Sequence, residues 1–308
     1  MKDKDKIIKS VLITTVAIIV FLPFIGNFLF AFFCLPWHSS CQIIIPEGRY
    51  ISWEELNEKP LDRIVLDGGF ASIFRTIGCI GDSLSSGEFE SLSNTNEKGY
   101  HDYYEYSWGQ YMARTLGSKV YNFSRGGMTG VEYVGSFADQ MRFWDPKYAC
   151  QAYIIALGVN DLVNQRSEIG TYEDIHLNDY RLNNLDTFIG TYAYIIARLQ
   201  ELQPRAKFFL MTMPKENDEN DVVREKHREI IYHFASIFKN VYVLDFYEYA
   251  PIYDDDFKEY FYMGHHLNPM GYVLTAKMVM SYIDYLIRYN YQDFKEVAYI
   301  GTDLHYYK

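Results

Sequence analysis

Between Phe74 and Arg288, short apolar runs rich in strand formers alternate with longer stretches of helical period, and this alternation limits the possible folds more than any other feature of the chain. Strands joined through helical crossovers pair in parallel, and a parallel sheet needs helices on both faces to cover it. The strand candidates are residues 74–80, 119–123, 152–157, 206–213 and 241–246. The helix candidates are residues 108–116, 182–202, 222–238 and 269–288, the last opening on Pro269, whose missing N–H costs nothing in a first turn. In an open parallel sheet, ligands bind beyond the carboxyl ends of the strands. The residues just past each run are therefore where chemistry is expected, and Ser83, Gly127, Asn160 and the segment around His266 all fall there.

Ahead of this region the pattern changes. Lys2, Lys4, Lys6 and Lys9 outnumber Asp3 and Asp5, and from Val11 to Trp37 nothing is charged. At about 1.5 Å per residue such a run can cross a hydrocarbon core of about 30 Å, even with a kink at Pro23. It reads as one N-terminal transmembrane helix in a single-pass protein of the cell membrane. The lysines favour a cytoplasmic tip, which places the rest of the chain on the far side. The competing reading is a secretory signal removed by cleavage, although such signals have shorter apolar regions that end in small residues. The expected organisation is a basic tip and anchor over 1–41, a linker or cap over 42–72, the main domain over 73–290 and a C-terminal extension over 291–308. Cys34 and Cys41 could pair in an oxidising compartment, whereas Cys79 and Cys150 lie in apolar runs and read as buried thiols. With 29 Lys and Arg against 40 Asp and Glu, the formal charge is −11, which argues against nucleic acid as a partner.

Four short blocks carry the chemistry. The first is Gly81-Asp82-Ser83-Leu84-Ser85-Ser86-Gly87, a serine on a tight turn. Alone, a serine near a helix start reads as an N-cap, and its hydroxyl becomes a nucleophile only if a base lies within reach. The second is Asn122-Phe123-Ser124-Arg125-Gly126-Gly127, whose paired glycines let backbone N–H groups come close to a ligand. The third, Gly158-Val159-Asn160-Asp161, offers a carboxamide donor, and the fourth is His265-His266-Leu267-Asn268-Pro269. Each has a bland reading as turn or cap chemistry, but their order along the chain makes four coincidences improbable.

That ordered set resembles the GDSL, or SGNH, hydrolase family over about Phe74 to Arg288. The resemblance implies a three-layer α/β/α domain with a central parallel five-stranded sheet of flavodoxin-like type. It matches Ser83 to the nucleophile and His266 to the base. The backbone N–H of Ser83, that of Gly127 and the amide of Asn160 match the oxyanion hole. His266 is preferred to His265 because Leu267-Asn268 and then Gly271-Tyr272 follow it. The implied activity is hydrolysis of carboxylic esters through an acyl-enzyme, with no cofactor; no metal-ligand spacing is visible among the eight histidines and four cysteines.

One position departs from the family. The aspartate expected three residues before the histidine is Met263, so a Ser83–His266 dyad is expected, oriented by a backbone carbonyl or by one of Asp254, Asp255, Asp256 and Glu259. The polar, tyrosine-rich stretch from Glu88 to Tyr106 is expected at the substrate rim. The leading reading is a membrane-anchored, extracytoplasmic serine esterase that takes acyl groups from a surface glycan. The alternatives are a lipid esterase or O-acyltransferase of the same fold, and a degenerate, non-catalytic binding module for which Met263 is the main argument.

Overall fold

Each of the five strand candidates forms a strand in the computed structural model, which describes residues 57–92 and 98–307. In chain order the strands are β1 (Thr76–Gly81), β2 (Glu88–Leu92), β3 (Lys98–Asp102), β4 (Lys119–Asn122), β5 (Ala152–Ala156), β6 (Lys207–Met211) and β7 (Val241–Leu244), then the two-residue strands β8 (Tyr262–Met263) and β9 (His266–Leu267). The principal helices are α1 (Ser83–Ser86), α2 (Trp108–Leu116), α3 (Phe188–Leu202), α4 (Asp221–Ile237), α5 (Asp255–Phe261) and α6 (Pro269–Tyr289). The main sheet has the order β4-β1-β5-β6-β7 and is parallel throughout. Chain direction across the sheet reverses at β1, so the crevice for a ligand opens past the ends of β1, β4 and β5.

The strands are buried on both faces, and their side chains sort by the period of two. Tyr153 and Ile155 of β5 and Phe208 and Leu210 of β6 face the core under α3 and α4. Ala152, Ile154 and Phe209 face the opposite core under α2 and α6. On the first side α3 contributes Tyr192, Ile195 and Ile196 and α4 contributes Ile230 and Phe234; on the second, α2 contributes Trp108 and Met112 and α6 contributes Tyr272 and Val279. Each fully buried side chain of this size is worth about 1.5–3 kcal/mol, so the two cores hold the three layers together. Cys79 and Cys150 are buried free thiols, as expected from their apolar runs.

The helix expected from Leu182 begins instead at Phe188. Thr187 is its cap, accepting the N–H of Gly190, and Tyr180–Leu182 form a separate 3₁₀ turn. α6 begins where Pro269 placed it, with Asn268 accepting the N–H of Gly271 at 3.0 Å. Residues 57–72, from the stretch read as linker or cap, dock on α6: the N–H of Val65 donates to Ser281 Oγ and that of Phe70 to Asp284 Oδ1. Two features were not expected at all, the antiparallel hairpin of β2 and β3 and the small β8–β9 ladder. The apolar run Val11–Trp37 and the Cys34–Cys41 pairing lie outside the described residues. Among the described residues no helix is long and apolar enough to cross a membrane.

Candidate active site

Ser83 is the first residue of α1, directly after β1. Asp82 precedes it as the cap, accepting the N–H of Leu84 at 3.1 Å, and burial pushes the Asp82 carboxyl up to about 7 against that bond. The loop after β4 is laced to β1: Phe123 N–H donates to Cys79 O at 2.7 Å, Ser124 Oγ to the same carbonyl, and Arg125 N–H to Gly81 O. Asn122 is used inside this turn, where its side chain accepts the N–H of Ser124. This lacing sets Gly126 and Gly127 beside Ser83.

Asn160 sits in the turn after β5 and is 8% exposed. Its Oδ1 accepts from Asn164, and one of its Nδ2 hydrogens goes to Met128 O at 3.1 Å. The carboxamide is therefore fixed in orientation with one N–H left for a ligand. The N–H groups of Ser83 and Gly127 have no acceptor among the described residues. Asp161, the next residue, clamps the two loops together: its Oδ1 accepts from Gly130 N–H and from Ser167 Oγ, each at 2.9 Å. Burial raises the Asp161 carboxyl to about 6 against these bonds.

His266 is on β9, in the segment just before α6. Ser83, Glu88, Gly126, Gly127, Asn160 and His266 all line one cleft of about 650 Å³. The four residues expected from the sequence are thus brought together. No hydrogen bond joins Ser83 Oγ and His266 here; the imidazole lies between two carboxylates instead. Its Nε2 is 2.9 Å from Glu88 Oε2, and its Nδ1, which is buried and has no hydrogen-bond partner among the described residues, is 3.6 Å from Glu90 Oε1. Tyr100 of β3 packs edge-on against the ring.

The environments of the two glutamates differ. Burial, then the charges of Asp102 and Glu90, raise Glu88 to about 7. The backbone N–H of His265 donates to Glu90 and holds its carboxyl below the usual range. His266 itself is lowered by burial, an effect that Glu90 opposes. Glu88 also crowds the loop after β4: a Cβ on Gly126 would lie 1.9 Å from Glu88 Oε1, so any larger residue there would displace that carboxylate.

The acids proposed from the sequence as partners of His266 lie elsewhere. Asp254, Asp255 and Asp256 line a separate hollow with Glu216 and Lys258, and Asp254 caps α5 by accepting the N–H of Phe257. Neither they nor Glu259 bonds His266 among the described residues. Met263 is 48% exposed on β8. Glu88 and Glu90 lie far from His266 along the chain, so proximity in sequence does not point to them, although a Glu-x-Glu pair in an extended segment puts both carboxylates on one face. Among the described residues no group of three or more His, Cys, Asp and Glu is placed to hold a metal ion.

Residues 79–274 match the GDSL-like lipase/acylhydrolase family. Among solved structures, the chain is similar to a family two carbohydrate esterase from Clostridium thermocellum in complex with cellohexaose, at 17% identity and a TM-score of 0.49, covering 81% of this chain and 70% of that one. It is also similar to a putative lipolytic protein of the G-D-S-L family from Desulfitobacterium hafniense DCB-2, at 15% identity and a TM-score of 0.40, covering 68% of this chain and 99% of that one. A third, an acetyl xylan esterase, matches at 18% identity and a TM-score of 0.44 over 67% of this chain and 98% of that one. No curated protein matches the sequence. With the match running from the middle of β1 into α6, the chain belongs to the GDSL-like lipase/acylhydrolase family and is an ester hydrolase.

Proposed function

We propose that the protein is a membrane-anchored, outward-facing serine esterase in which Ser83 is the nucleophile and His266 the base, and that it removes short acyl groups such as acetyl from a glycan. The observation that supports this reading is the shared cleft, which Ser83, Gly127, Asn160 and His266 all line. In the proposed reaction Ser83 Oγ attacks the ester carbonyl while its proton passes to His266 Nε2. The oxyanion is held by the two backbone N–H groups and the free Asn160 N–H, each such donor being worth about 2.7–4 kcal/mol. The intermediate expels the alcohol, which takes the proton from His266. Water, deprotonated by His266, then releases the acid and restores Ser83.

For this, Nε2 must leave Glu88 and face Ser83, a rearrangement of the kind that substrate binding often completes. The glycan reading draws on the cleft's lining, where Glu88, Asn160, Asn164, Glu216, Arg224 and Lys258 offer hydrogen-bonding groups for sugar hydroxyls beside the apolar Leu84, Val159, Val163 and Met213. The Glu88 contact on Nε2 favours one other reading, ester hydrolysis in which His266 is not the base. Hydrolysis of p-nitrophenyl acetate by the full-length protein in detergent separates the two. With the proposed pair, kcat falls by at least about 10³-fold in both Ser83→Ala and His266→Ala. Turnover in either variant close to wild type would remove that residue from the proposed reaction.

A further inference from the structure

We propose that Glu90 of β2 is the positioning residue for His266, supplying from the hairpin the acceptor that Met263 cannot provide from its own segment. This rests on the assignment of His266 as the base. Glu88 and Glu90 stand two residues apart on a strand, so their carboxylates share a face, and that face meets the turn bearing His266. Phe89, between them, points the other way and packs edge-on against Tyr272 and Tyr106. This apolar anchor fixes the strand and aims both acids.

Of the two, only Glu90 is on the Nδ1 side. Its Oε1 is 3.6 Å from Nδ1, a buried nitrogen with no hydrogen-bond partner among the described residues, and a shift of a few tenths of an ångström would close that gap to a hydrogen bond. The same oxygen accepts the backbone N–H of His265, so the carboxylate is tied to the turn it serves. The fit is close, since a Cβ on Gly264 would lie 2.4 Å from Glu90 Oε2. A carboxylate at Nδ1 keeps the proton there and leaves the Nε2 lone pair for Ser83, and it stabilises the imidazolium formed during attack. Met263 has only a thioether, a weak acceptor, and stands partly in solvent. The charged and titratable groups around the ring include Glu88 and Glu90 of β2, Tyr100 and Asp102 of β3, and His265.

The test compares Glu90→Gln, Glu90→Ala and Glu90→Asp with wild type on p-nitrophenyl acetate, recording kcat, KM and the pH profile alongside a thermal unfolding curve. The expected result is a kcat lowered by roughly 10²–10⁴ in the Gln and Ala variants at nearly constant KM. In Glu90→Gln the acid limb of the profile moves to lower pH, because the charge that favours the imidazolium is gone. Glu90→Asp recovers part of the rate. A packing role alone would not move the acid limb in Glu90→Gln, which keeps the side chain's shape. Glu90→Gln with wild-type kcat and an unmoved acid limb overturns the proposal. Ser83→Ala and His266→Ala run in parallel keep the two readings apart: if both abolish turnover and Glu90→Gln does not, only the role of Glu90 fails.

Discussion

Two glutamates on one imidazole pull its proton in opposite directions. Glu90, held ionised, favours the tautomer with the proton on Nδ1, whereas an ionised Glu88 favours the proton on Nε2, where it blocks the transfer from Ser83. Glu88 is raised to about 7 by burial and by its acidic neighbours, so it is neutral below that pH and then donates its own proton toward Nε2. His266 is lowered by burial, against the opposing pull of Glu90, so it takes up its proton at a lower pH than an ordinary histidine. Activity should therefore rise as pH increases through the lowered His266 value and fall again as Glu88 ionises near 7. Glu88→Gln removes the titrating group, and its kcat/KM profile is expected to keep the acid limb and lose the fall near 7. An identical fall in that variant would assign it to another group. Ser83, Gly127, Asn160 and His266 were legible as residues because each closes a short local motif at a strand end. Glu88 and Glu90 were not, because what makes them matter is a strand pairing, and nothing in a polar, tyrosine-rich stretch announces which face it will present.

At the scale of elements, the strands were readable because burial on both faces demands unbroken apolar runs, and the five runs became the five strands of the sheet. Helix starts were readable where a cap stood at the edge of the pattern, as at Ser107 and Asn268. They were misplaced where apolar residues continued past the cap: Leu182 and Leu185 extend the apolar pattern ahead of Thr187, but Thr187 terminates it. The hairpin of β2 and β3 escaped because its outer strand is exposed along most of its length and has no apolar alternation. It was expected at the rim of the site as a determinant of selectivity. Glu88 and Tyr100 of the hairpin do line the cleft, and its first strand also carries both carboxylates beside His266.

For the whole molecule, a doubly covered parallel sheet gives the rigid frame on which loops distant in sequence meet. β1, β4 and β5 deliver Ser83, Gly127 and Asn160 to one end of the sheet, and the segment before α6 folds back to add His266. The proposed placement outside the membrane rests on the N-terminal lysines and the uncharged run from Val11 to Trp37. Expressed in a bacterium, the full chain is expected to stay with the membrane after carbonate washing and to be digested by protease added to spheroplasts. Recovery in the wash, or protection from the protease, would contradict the anchor or its orientation. The claim on which the rest depends is that Ser83 is an activated nucleophile. Treating the full-length protein in detergent with a fluorophosphonate and locating the adduct by peptide mass spectrometry tests it directly. The expected result is one adduct on Ser83, absent in Ser83→Ala and formed far more slowly in His266→Ala. A protein that stays unlabelled, or that carries its adduct on another residue, would contradict the assignment.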